Sequence, residues 1–293
     1  MNKGRTILPL VVAWILSYCF AGAAPQDTPG AKEIGRTTER ELNVVLSSSF
    51  GTLIISRGES EKIFTVETAH SGADQLTNIE YSIRNRIGYA DLTLGDVKKQ
   101  GNEKKKSFKI SDFDKGKWYV RFSDAVPISF DVELGVGRGD FNLSGLQVKD
   151  FNLSAGASDV TLSFDEPNKA RIENINIESG VSKFDARNLG NANFRHFRFQ
   201  GGLGAYTLDF SGALSREVDV DIEVGMGMLT IIVPQDVGAR VYYEKSWVSR
   251  LDCDRDFRSS AENEYTTDNY TSSTGRMNIK IDSGMGSIKI RRR

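Results

Sequence analysis

The sequence predicts an all-β fold: a repetitive β-solenoid of strand, glycine kink and strand units about 21–24 residues long, with an amino-terminal β layer. Three observations carry this. Apolar residues alternate with period two from Glu41 onward, as in Leu42, Val44, Leu46 or Val218, Val220, Ile222, Val224. A unit of two alternating strands joined by a glycine-rich kink recurs along the chain. Glycines number 28 against 6 prolines, which suits strands joined through kinks and tight turns. No window of a dozen residues keeps a helical stripe. A composition 39% hydrophobic and 26% charged excludes both a chain disordered throughout and a polytopic membrane protein. With 38 basic residues against 39 acidic ones, no global field exists to attract nucleic acid.

Taken in order, residues 1–23 read as a signal peptide. Lys3 and Arg5 open it, an uncharged apolar run follows from Ile7 to Phe20, and an A-x-A pattern ends at Ala23. The run is short of the roughly 20 residues a spanning helix needs. An uncleaved anchor is one alternative. Lipidation at Cys19 is another, since Leu16-Ser17-Tyr18-Cys19 is similar to a lipobox with Tyr18 in the small-residue position. The reading predicts export to the periplasm, cell surface or medium, with no transmembrane span in the mature chain. Cleavage leaves Cys253 as the one cysteine, so packing rather than a disulfide must hold the fold.

Residues 24–40, rich in Pro, Gly, Thr and charge, read as a linker. Residues 41–127 form an amino-terminal β region that opens with a degenerate repeat, Val44 to Ile55, and carries a cationic stretch, Lys98 to Lys109. Residues 128–293 are the repeat domain. Its key glycines are Gly135, Gly156, Gly180, Gly202, Gly225 and Gly284, at spacings of 21, 24, 22, 23 and 59. That period is too short for a propeller blade and argues that each unit stacks on the last. A sandwich or barrel of the same strands is the alternative. One parity, such as Val132 and Leu134, would face inward, and the other, such as Asp131 and Glu133, would face water. The long last spacing holds a polar, irregular insertion near residues 246–276, either a surface excursion closing the solenoid or a functional loop.

At these residues the chain resembles the toast-rack family of bacterial cell-envelope proteins, whose carboxy-terminal half is the LiaF-like domain. The resemblance rests on the G-x-G kinks (Gly135/Gly137, Gly202/Gly204, Gly225/Gly227, Gly284/Gly286), the segment Ile232-Val-Pro-Gln-Asp-Val-Gly-Ala-Arg-Val241, and the ending Met277 to Ile290. It covers most of residues 41–293. It implies an envelope-associated, non-enzymatic repeat protein, with cell-wall stress sensing in some members. The chain departs from LiaF-like sensors in opening with an export signal rather than several transmembrane helices.

No residue set claims a catalytic, cofactor or metal role. His70 and His196 lie in different segments, and no G-x-S-x-G elbow flanks a serine. The glycine pairs lack the following helix that a phosphate loop requires. Asp252, Asp254 and Asp256 have the alternation of calcium ligands, but Phe257 and Asn263 break the EF-hand frame, so a solvated loop paired with Arg250, Arg255 and Arg258 is expected. A polysaccharide lyase on a β-helix would use Asp131, Glu133, Asp221 and Glu223 with Arg138, yet outward parity alone selects them. Arg291-Arg292-Arg293 and the lysine-rich stretch are basic clusters, solvated or drawn to an anionic surface. The function expected is binding, scaffolding or a stress-response association, with a carbohydrate-active enzyme or a surface adhesin as alternatives. Expected partners are an envelope protein or an anionic cell-surface polymer, not nucleic acid.

Overall fold

The computed structural model describes residues 31–69, 77–95, 116–244 and 248–293. The rack is made of seven long strands: β2 (Glu41–Arg57), β7 (Pro127–Asn142), β8 (Gln147–Ser163), β9 (Ile172–Arg187), β10 (Phe194–Asp209), β11 (Glu217–Val233) and β16 (Arg276–Arg292). They lie in that order, each parallel to and in register with the next. The fold is the β-solenoid-like repeat that the periodicity predicts. The degenerate copy in β2 is its first rung.

Each rung bends near its middle, so it has two arms. In β11 the first arm buries Val218, Val220, Ile222 and Val224, and the second buries Leu229, Ile231 and Val233. The arms face one another across a single core. Within β10 the rings of Phe199 and Tyr206, one from each arm, sit 5.1 Å apart, and Phe184 of β9 reaches Phe199 at 5.3 Å. Near the bend the space between the arms narrows, and several inner positions there are small: Ser48, Ala155, Ser179, Gly201 and Ser283 share one register line. Gly201 is small because a Cβ would sit 2.7 Å from the Tyr206 ring, which fills the gap.

Two ends close the rack in the same way. At the first rung, β5 (Ile87–Leu94) extends the first arm of β2 and β6 (Lys117–Phe122) extends the second. β4 (Asn78–Arg84) covers β5, while β3 (Lys62–Thr68) and β1 (Ala31–Gly35) continue from β6. Trp118 is fully buried, edge-on to Phe50 at 6.2 Å. At the last rung, β12 (Gly238–Glu244) pairs with the first arm of β16 and β13 (Ser249–Cys253) with the second. The hairpin β14 (Phe257–Ala261) and β15 (Glu264–Thr267) lies against β12. The polar insertion therefore closes the solenoid, and about half of its described residues are strand rather than irregular chain. Its alternation is invisible in the sequence because edge strands bury one side poorly.

Candidate functional site

The bend that shapes the core also shapes the surface. Glycines 135, 156, 180, 202, 225 and 284 form a column one rung apart, where a Cβ would approach the preceding rung's carbonyl oxygen to between 2.4 and 2.9 Å. Because no side chain stands on this column, a trough of about 930 Å³ runs along the first-arm side of the bend. A row of outward side chains borders it in strict register: Glu133, Ser154, Glu178, Gln200, Glu223 and Asp282. Four of these are carboxylates, and none of the described lining residues is basic. One residue past the glycines comes a second register line of opposite character, Val136, Ala157, Val181, Leu203, Met226 and Met285. All six are exposed, Val181 to 59%.

The lyase candidates do not assemble. Asp131, Glu133, Asp221 and Glu223 are exposed on the first arm, as their parity predicts. Glu133 and Glu223 lie four rungs apart, about 19 Å at roughly 4.8 Å per rung. Asp221 stands between Arg198 and Lys280 on the adjoining strands. Glu223 accepts from Arg198 at 3.1 Å and from Gln200 at 2.8 Å. Arg138 is past the bend on the second arm, between Thr52 and Asp159. His70 lies outside the described residues. His196 Nδ1 is 3.5 Å from Asp219 in a shallow surface dip whose described lining holds no serine or threonine.

The acidic loop is held differently from the expectation. Asp252 and Asp254 both face Arg291, at 2.5 and 3.4 Å, and Asp254 also accepts the Arg292 amide at 2.7 Å. Asp256 faces Arg292 at 3.6 Å, whereas Arg258 pairs with Asp268. The carboxylates thus meet arginines of the last rung, which sequence neighbours could not reveal. Among the described residues no three His, Cys, Asp or Glu side chains gather around a common point. The Arg292 side chain is 5% exposed and donates to the Gln235 and Val237 carbonyls at 2.7 and 2.9 Å. Two of the three terminal arginines are therefore internal fasteners rather than a free cationic patch. Cys253 is half-buried, and burial, then Asp252, pushes its thiol up to about 12.

An all-β rack of bent parallel rungs with an extended surface trough is the class of molecule these features define: a β-solenoid-like repeat protein. The chain belongs to the toast-rack family, its residues 24–187 matching the N-terminal domain of toast_rack. Residues 184–290 match the family described as cell wall-active antibiotics response LiaF, C-terminal. Among solved structures it is similar to a protein of Clostridium sporogenes proposed to act in cell adhesion, at 20% identity over 91% of this chain and 100% of that one, with a TM-score of 0.44. It is also similar to a proposed adhesin of Bacteroides fragilis, at 13% identity over 89% and 95% of the two chains, with a TM-score of 0.37. No curated protein matches it. Among the described residues no helix is long and apolar enough to cross a membrane.

Proposed function

We propose that the chain is an exported, non-catalytic binding module of the bacterial cell envelope, and that the trough along the bend is its working surface. The observation that carries the reading is the trough's continuity: the same two register lines, one acidic and one apolar, pass along successive rungs without a pocket that would isolate one reacting bond. Its charge favours a cationic partner; of the two basic clusters, Arg291 and Arg292 are already engaged, and Lys98 to Lys109 lies outside the described residues. The family's link to cell wall-active antibiotics and the signal-like residues 1–23 support an envelope location.

The test is to express the full chain in a bacterium, fractionate the cells and weigh the product. A species beginning at Ala24, outside the cytoplasm and retained by envelope fractions, is the expected result. A membrane-bound species lipidated on Cys19 would keep the envelope reading and change the tether. An intact chain in the cytoplasm would overturn it.

A further inference from the structure

Exposed apolar side chains aligned over successive rungs, beside a row of carboxylates with no basic residue among the described lining of the trough, form an amphipathic track. We infer that this track binds an extended cationic polypeptide with a basic residue at every third position. The inference rests on the binding-module reading above and names the partner's chemistry.

Spacing is what selects the partner. Glu133, Glu178 and Glu223 occupy alternate rungs, with Ser154 and Gln200 between them. Rungs are about 4.8 Å apart, so these carboxylates repeat every ~9.6 Å. An extended chain in the polyproline II conformation advances about 3.1 Å per residue with three residues per turn, or about 9.3 Å per turn. Basic side chains at i, i+3 and i+6 therefore meet successive carboxylates while intervening apolar residues lie toward the stripe. Alternation also spares the rack like charges on adjacent rungs, which accounts for the spacing within β7–β11 but not for the apolar line beside it. From Val136 to Met285 the stripe spans five steps, about 24 Å, enough for roughly eight residues of such a chain.

Charge disposes of the other occupants. A second copy docking the same face would set carboxylate against carboxylate, and an anionic bilayer would be repelled. Arg198 competes for Glu223 but is half-exposed and free to turn away.

The probe is a labelled synthetic peptide, (Lys-Leu-Pro)4, titrated into the purified protein by fluorescence anisotropy, with a scrambled peptide of the same composition as reference. Saturable binding that prefers the periodic peptide is expected. It should weaken about five- to tenfold in the surface variant Glu178→Gln/Glu223→Gln, since exposed ion pairs contribute a fraction of a kcal/mol each. A similar loss is expected in Val181→Ser/Leu203→Ser, with unchanged circular dichroism in both. Equal binding of the scrambled peptide, or indifference to both variants, overturns the inference. If the protein associates with envelope fractions yet binds no periodic peptide, the inference falls and the binding-module reading stands. If it does neither, both fall.

Discussion

Replacing Gly227 by alanine should destabilise the rack sharply. The residue has φ of +142°, and a Cβ there would lie 1.9 Å from the Gly204 carbonyl oxygen and 2.9 Å from its carbon. Contacts under 3.0 Å are not tolerated, so the rungs must part locally by about 1 Å or the backbone must leave its conformation. Strain at such a φ costs about 1–3 kcal/mol. Overpacking adds about 1–3 kcal/mol. Together these predict a loss of about 2–6 kcal/mol, a large share of the 5–15 kcal/mol that stabilises an ordinary domain. Urea unfolding followed by circular dichroism reads the loss as a lowered midpoint. Gly35→Ala is the control, because a Cβ there meets nothing within 4 Å, and it should change stability by under about 0.5 kcal/mol. The rack supplies a second control. Ser158 and Ser182 occupy the same register line as Gly227, and neither has a positive φ. Ser182→Gly should therefore cost only about 1–2 kcal/mol, from backbone freedom and the lost 2.5 Å contact with Ser179. If Gly227→Ala unfolds at the same midpoint as Gly35→Ala, the close stacking described for the bend is wrong.

Three further outcomes follow from the closed ends. Arg292→Ala leaves the Gln235 and Val237 carbonyls without their donor and Asp256 without its facing guanidinium, and should lower the urea midpoint by an amount equivalent to about 2–4 kcal/mol. Glu39 is 4% exposed; burial alone would raise its carboxyl, but hydrogen bonds from Tyr81 and Thr37 outweigh this and hold it below its ordinary 4.5. A depressed carboxyl stabilises above its unfolded value and loses that contribution as pH falls through its folded one. Glu39→Gln should thus be less stable than the parent at neutral pH, with the gap closing on titration below about pH 4. Cys253, its thiol pushed up to about 12, should react far more slowly with a disulfide reagent at pH 8 in the native protein than in urea.

The rungs were legible in the sequence because each copy must repeat the same inward parity and the same glycine at the bend. The order of the rack followed from the spacing of those glycines. What stayed hidden depends on register between copies. Val136, Val181, Leu203 and Met226 look like core residues in the sequence, yet the bend at the glycine column turns them outward. The trough exists only once Glu133, Glu178 and Glu223 are laid side by side, although they are 45 residues apart at each step. Strands β13 to β15 were missed because a short cap strand buries one face partly and keeps no clean alternation. The pairing of Asp252 and Asp254 with Arg291 spans nearly forty residues, and no local pattern signals it.

The most direct test of the stacked, parallel register is a distance along the bend. Spin labels at Val136→Cys and Met285→Cys, in a Cys253→Ser background beginning at Ala24, sit five rungs apart on one line. Double electron–electron resonance should give a single narrow distribution centred near 24 Å, allowing for label length. A distribution centred beyond about 35 Å, or several separate peaks, would contradict a rack in which every bend sits directly on the one before it.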